Sequence, residues 1–409
     1  MNICRFTGFV FILVLCFLLP SCSSNRNVTS ADLQNVLETQ WQTYASGKKN
    51  FGGGLAMQIL SPAGDYFIST GMGAAVNNAY HFRTASVTKT FTAASIMLLA
   101  QRGKLNIDDK ITDNIPGTSV PYVPDTADYA IPHKNKITIR MLLMHRAGVF
   151  DLSNQSIAEN AASHGKPYVG LNYLQYGEAQ DDDHQFTFDE LFGIIARNKQ
   201  IGFEPPALKY SYSDTGYSML GLILQRVSGK PYGQFVRDEL LVPNGLLASS
   251  LPWEGADKNL PAPFMSGYQW MNETFADVTI FNMSPFVGNG NMITTPLDLA
   301  TWCKRLLTGR AGLTSTTVEM MKAGLLEKEG STTTYGLGII FDEKLGYGHG
   351  GAHAGYLTHM YYKPEIDTAF VIMSNVWDCA TCAENSASIE AQFNMMTATA
   401  NKIFTRMGF

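Results

Sequence analysis

Ser86 and Lys89, three positions apart, are the first residues whose types and spacing could do chemistry. They stand in Thr84-Ala85-Ser86-Val87-Thr88-Lys89-Thr90-Phe91, directly ahead of an apolar run from Phe91 to Ala100. A serine hydroxyl is a weak nucleophile until a neighbouring base takes its proton, and an adjacent amine is one solution. On a helix, positions i and i+3 lie one above the other on one face, so Lys89 can set its amine beside the Ser86 hydroxyl. The same spacing occurs at Ser46 to Lys49 and at Ser163 to Lys166. The first lies where Gly47 reads as the C-terminal cap of a helix. The second, Ser163-His164-Gly165-Lys166-Pro167, reads as loop. Only Ser86 opens a buried-looking helix able to hold both side chains still.

Two later stretches supply partners. One is Tyr212-Ser213-Asp214. The other is Tyr347-Gly348-His349-Gly350-Gly351-Ala352, on a glycine-rich strand whose missing side chains let a substrate approach its edge. An aspartate near Lys89 favours the ammonium form and raises its pKa. The expectation is then that Tyr212, deprotonated beside that cation, carries more of the base role. Asp214 could equally cap the helix that follows; the two readings are compatible. His349, His353 and His359 lie close in sequence, but no H-E-x-x-H and no carboxylate-bearing helix accompanies them, so no metal or other cofactor is expected.

These residues need a scaffold. Ser30 to Ser46 reads as an amphipathic helix capped by Ser30 or Asp32. Gly54 to Leu60 and Tyr66 to Thr70 read as a strand pair around Ser61-Pro62-Ala63-Gly64-Asp65. Short helices follow at Ile137 to Met144 and Phe188 to Lys199. Longer ones are expected at Tyr217 to Val227 and Tyr232 to Leu241, then from Thr295-Pro296 through Leu307. The segments 112 to 136, 151 to 185 and 249 to 285 read as loop or irregular chain, and Asp181-Asp182-Asp183 as a solvated run. Tyr335 to Phe341 reads as one strand. Gly355 to Tyr362 and Thr368 to Ser374 read as a hairpin, and Ser386 to Phe404 as a closing helix.

Strands at both ends and helices between them predict an α/β fold of the α+β type. One antiparallel sheet, built from the terminal strands and flanked by the first and last helices, would form one lobe (about 30–83 and 333–405). A mainly helical lobe (about 84–332) would form the other, within a domain spanning 30–405. A cleft between lobes is a default place for a site.

The 409 residues are 45% hydrophobic and 16% charged, with a formal net charge of −5. That is a globular composition with ample core and no basic stripe for nucleic acid. At the N-terminus, Arg5 precedes an apolar stretch from Phe9 to Leu19, too short and too early for a membrane span. The ending Leu19-Pro20-Ser21-Cys22 resembles the lipobox of bacterial lipoproteins. That resemblance implies a signal peptide over 1–21, a lipid on Cys22, a tether over 22–29, and a cell-envelope protein facing the periplasm or the surface. Cys303 reads as a core thiol. Cys379-Ala380-Thr381-Cys382 is open to a local disulfide or two unlinked thiols.

Taken in order, Ser86-Val87-Thr88-Lys89, Tyr212-Ser213-Asp214 and His349-Gly350-Gly351 resemble the three motifs of the class C β-lactamase, DD-peptidase and esterase branch of the serine β-lactamase and penicillin-binding protein superfamily. Ile137 to Gly148, Tyr210 to Gly221, Gly336-Leu337-Gly338 and Ser374-Asn375 fit the same pattern, so the likeness runs from about residue 30 to the C-terminus. It implies a β-lactamase/transpeptidase-like fold and an acyl-enzyme on Ser86, with Lys89 and Tyr212 sharing the base work. It also implies an oxyanion hole from the N–H groups of Ser86 and Ala352, with His349, Gly350 and Gly351 bordering the substrate. Donors that meet charge only as it develops are worth about 3 kcal/mol each. Where relatives often have lysine, this chain has His349, mostly neutral at pH 7. That weakens recognition of a substrate carboxylate and favours an esterase, D-amino-acid amidase or peptidase over an efficient β-lactamase. The substrate expected is a small molecule or peptide with an amide or ester bond. A carboxylesterase, or a non-hydrolytic β-lactam-binding or sensing protein that acylates and stalls, are the alternatives. A G-x-S-x-G elbow is absent, which argues against an α/β-hydrolase.

Overall fold

The computed structural model describes residues 28–205, 209–271, 273–379 and 386–409. The expected signal segment 1–21, Cys22 with most of its expected tether, and Cys382 lie outside them. Alternating and fully apolar strands at the two ends of the chain pair into one eight-stranded antiparallel sheet. Across the sheet the order is Gly64–Thr70, Leu55–Ser61, Thr368–Ser374, Tyr356–Lys363, Gly346–His353, Ile340–Asp342, Thr333–Tyr335 and Leu325–Leu326. The register puts Met57 opposite Ile372 and Gly351 opposite Thr358.

One face of the sheet is covered by the terminal helices Ser30–Ala45 and Ser386–Met407, through Leu33, Leu37, Trp41, Ile403 and Phe404. Thr29, not Ser30 or Asp32, caps the first helix, and Asp32 closes a capping box with it. The other face packs on the helices between the sheet's two halves. Pro296–Leu307 is one of them: although it falls in the stretch assigned to the helical lobe, it lies on the sheet itself, with Trp302 and Leu306 buried.

At the centre is Thr88–Gln101, buried on every side from Thr88 to Leu99. A helix that is buried all round belongs to a core, and this one packs on Asp214–Ser228. Three segments differ from the sequence reading. Tyr335 to Phe341 is two strands, because Gly338 turns left-handed there (φ 75°) and its missing Cβ lets it lie against Ala93. A short helix, Tyr173–Gln180, capped by Asn172, interrupts the polar segment 151–185. The irregular 249–285 contains a hairpin, Tyr268–Met271 with Thr274–Asp277, that extends from Val376–Asp378.

Candidate active site

Ser86 sits in a 3-10 turn, Ala85–Val87, that runs into the central helix. In a 3-10 turn side chains at i and i+3 eclipse, which brings Ser86 and Lys89 together more directly than an α-helix would. Lys89 Nζ lies 2.9 Å from Ser86 Oγ. The residue before the nucleophile, Ala85, has φ 52°. A side chain in the left-handed region costs about 1 kcal/mol or more and persists where the surroundings fix it. Here the surroundings are Thr88 Oγ1, which donates to the Ala85 carbonyl at 2.7 Å, and the neighbouring strand.

Lys89 is fully buried and has three partners. Besides Ser86 it reaches Asp214 Oδ1 at 2.5 Å and the Asn289 carbonyl at 2.9 Å. An ammonium has three donors for these three oxygens. A neutral amine keeps two donors for the carboxylate and the carbonyl, and its lone pair then faces Ser86 Oγ. The geometry therefore satisfies the amine in both states. Burial pulls the Lys89 pKa down from its ordinary value, against the pull of the Asp214 charge. Asn289 is itself held, its side-chain amide donating to Ser218 Oγ at 2.9 Å.

The Tyr212 ring centroid is 4.8 Å from Lys89 Nζ, and Ser86 is among the groups that act on its phenol. Burial, with the Asp214 charge second, pushes its pKa well above the ordinary value. These directions run against the expectation of a resting tyrosinate beside a strengthened ammonium. The low-dielectric pocket disfavours both charged forms, so the proton stays on Tyr212 and Lys89 is drawn toward neutrality. The helix cap is also reassigned: Ser213, not Asp214, accepts the Gly216 N–H, and Asp214 is left to face Lys89.

On the other side stands Gly346–His353. It pairs with Ile340–Asp342 only as far as Gly348, so its edge from His349 onward carries no ladder there. Gly351 lies so near the nucleophile turn that a Cβ would come within 2.2 Å of the Thr84 carbonyl and 3.2 Å of the Ser86 nitrogen. Ala352, the next residue, is exposed.

His349 is not at that edge. Its ring is 2% exposed and both nitrogens are used inside the protein. Ser213 N–H donates to His145 Nδ1 at 3.1 Å, so the other nitrogen, Nε2, carries the proton and donates to Tyr335 Oη at 3.1 Å. Tyr335 then donates to His349 Nε2 at 2.9 Å, and His349 Nδ1–H to the Gly350 carbonyl at 2.5 Å. Burial lowers the His349 pKa to about 3. The place expected to border substrate thus offers backbone only, and the imidazole ties the strand to the Tyr212 segment. His145 belongs to this tie as well, stacked 4.1 Å from the Tyr212 ring.

Sequence reasoning missed Asn289, His145 as a partner of Tyr212, Tyr335, Asp151 and Asn154. It also missed Arg83, three residues before Ser86, which is fully buried and donates from Nη2 to the carbonyls of Lys258 (2.6 Å), Thr279 (3.3 Å) and Phe281 (3.4 Å). Cys303 is a buried thiol. Lys258 bridges Asp182 and Asp183.

The β-lactamase family profile matches residues 64–387. Penicillin-binding protein 4 of Amycolatopsis lactamdurans is 25% identical over 324 residues, 75% of this chain and 74% of that protein. A penicillin-binding protein of Bacillus subtilis is 28% identical over 166 residues, 40% of this chain; the match spans only 29% of that protein's length. Among solved structures, a D-stereospecific amidohydrolase from Streptomyces sp. superposes with TM-score 0.68 at 25% identity, covering 89% of this chain and 98% of that one. The D-amino acid amidase of Ochrobactrum anthropi gives TM-score 0.69 at 21% identity, covering 92% and 99%, a likeness of fold. The chain therefore belongs to the β-lactamase family of serine hydrolases.

Proposed function

We propose that the protein hydrolyses small amides and esters that carry no free carboxylate beside the scissile bond, D-amino-acid amides being the favoured class. The observation that carries this is His349. With both ring nitrogens bonded inside the protein and burial keeping it neutral, the strand presents no cation to a carboxylate. The likeness to a D-stereospecific amidohydrolase supports the same class.

In this reading Ser86 Oγ attacks the carbonyl carbon as its proton passes to neutral Lys89. Asp214 and Asn289 hold that amine with its lone pair toward the serine. The N–H groups of Ser86 and Ala352 receive the developing oxyanion. Tyr212 delivers its proton to the leaving amine or alkoxide, and Lys89 restores it. Water then cleaves the acyl-enzyme by the reverse route. We extend the proposal to location: a lipid on Cys22 would hold the enzyme at the cell envelope, tested by labelling with radioactive palmitate in wild type and Cys22→Ala.

The decisive experiment incubates the soluble form, from about residue 30, with D- and L-amino-acid amides, a nitrophenyl ester, a D-Ala-D-Ala peptide and fluorescent penicillin. Turnover of D-amides and esters above the carboxylate-bearing substrates is expected, all lost in Ser86→Ala. Full turnover in Ser86→Ala overturns the assignment. Ester turnover alone reduces it to a carboxylesterase, and persistent penicillin label without turnover makes it a sensor.

A further inference from the structure

Behind Lys89 lies a buried pair of carboxyl groups whose second member the mechanism above does not use. Asp151 is 3% exposed. Its Oδ1 accepts the Ser153 N–H at 3.1 Å, and its Oδ2 accepts one N–H of the Asn154 amide at 2.8 Å. The same Asn154 nitrogen donates to Asp214 Oδ2 at 3.0 Å. The two carboxyl groups therefore lie within about 6 Å of each other, where like charges oppose a second ionisation. Asp214 keeps its other oxygen on Lys89.

The charged and titratable groups that face Asp151 are Asp214 and Tyr212 from one side and Lys89 from the nucleophile helix. One ammonium cannot neutralise two carboxylates, and a buried carboxylate without a cation is costly. Asp214 holds the lysine; among the described residues Asp151 has no ion-pair partner. Burial first, then the Asp214 charge, raises the Asp151 pKa to about 7.

We propose that Asp151 is a positioning residue for acylation: through the Asn154 amide that the two carboxyl groups share, its charge sets how strongly the pair retains the Lys89 ammonium. This rests on the reading of Lys89 as the acceptor of the Ser86 proton. When Asp151 is protonated, Asp214 alone opposes the neutral amine. When Asp151 releases its proton to solvent, a second negative charge joins it and Lys89 gives up its proton less readily.

The test is the pH dependence of kcat/KM for a nitrophenyl ester, whose rising limb reports loss of the proton from the base. Asp151→Asn keeps an acceptor for Asn154 and removes the ionisable oxygen. Its rising limb is expected at lower pH by about half to one unit, and that of Asp214→Asn lower by one unit or more. A second readout needs no turnover: infrared difference spectra of Ser86→Ala protein between about pH 5 and about pH 9. They should show a protonated-carboxyl band lost as pH rises, and missing when Asp151→Asn is added. A superimposable rising limb in Asp151→Asn overturns the proposal, as does a lowered plateau with an unmoved limb, which is what a structural role alone predicts. A protein that turns over no substrate refutes the hydrolase reading by itself, and the infrared band still decides Asp151.

Discussion

Two fully buried basic side chains flank Ser86 at equal distance along the chain, Arg83 three residues before it and Lys89 three residues after. Lys89 faces a carboxylate, a carbonyl and the nucleophile. Arg83 faces three carbonyls, from the segment 258–281. The partners separate their roles. A lysine that burial pulls down, beside groups that can exchange a proton, is a place for proton traffic. Burial lowers the Arg83 pKa only to about 10, so it stays a cation at neutral pH and serves as a clamp. Equal burial thus gives chemistry on one side of the serine and fastening on the other.

The largest expected effect would break the comparison most directly. Lys89→Met should cut kcat/KM for ester or amide substrates by about 1,000-fold or more, since removing a positioned base typically costs two to four orders of magnitude. Circular dichroism of the same variant checks that it is folded. Arg83→Met should do the reverse. The three carbonyls lose their donor and unfolding free energy falls by about 3 kcal/mol, read by denaturant titration. Below its melting point the variant should keep the pH profile of the wild type. A shifted profile in Arg83→Met would place both basic residues in the chemistry. Smallest is Ala85→Gly, which relieves the left-handed φ between the two basic residues. Thermal unfolding should show a gain of about 1 kcal/mol, and no gain would mean that the flanking contacts, not the backbone, carry the strain.

What the sequence made legible follows from range. The Ser86–Lys89 pair is a contact between near neighbours, so spacing alone exposes it. The terminal strands alternate or run apolar, and the Thr295-Pro296 start of a helix is a local signal that the structure repeats. Arg83 was hidden because its partners are backbone carbonyls, which every residue has. Asp151 and Asn154 lie far along the chain from Lys89, and no pattern in 151–185 points to them. The His145–Tyr335–His349 tie joins three segments, so His349, seen only with its neighbours, looked like a residue for substrate. The 268–277 hairpin was hidden for another reason: Thr274–Asp277 is exposed throughout and lacks the alternation that marks a half-buried strand.

The contact of Gly351 with the Thr84 carbonyl has a consequence in time as well as space. The turn that holds Ser86 is made before the strand that abuts it. On the proposed assignment, one oxyanion donor comes from each. A nascent chain then carries its nucleophile before it owns the second donor, and its hydrolysis is slower by about 100-fold or more until that strand docks.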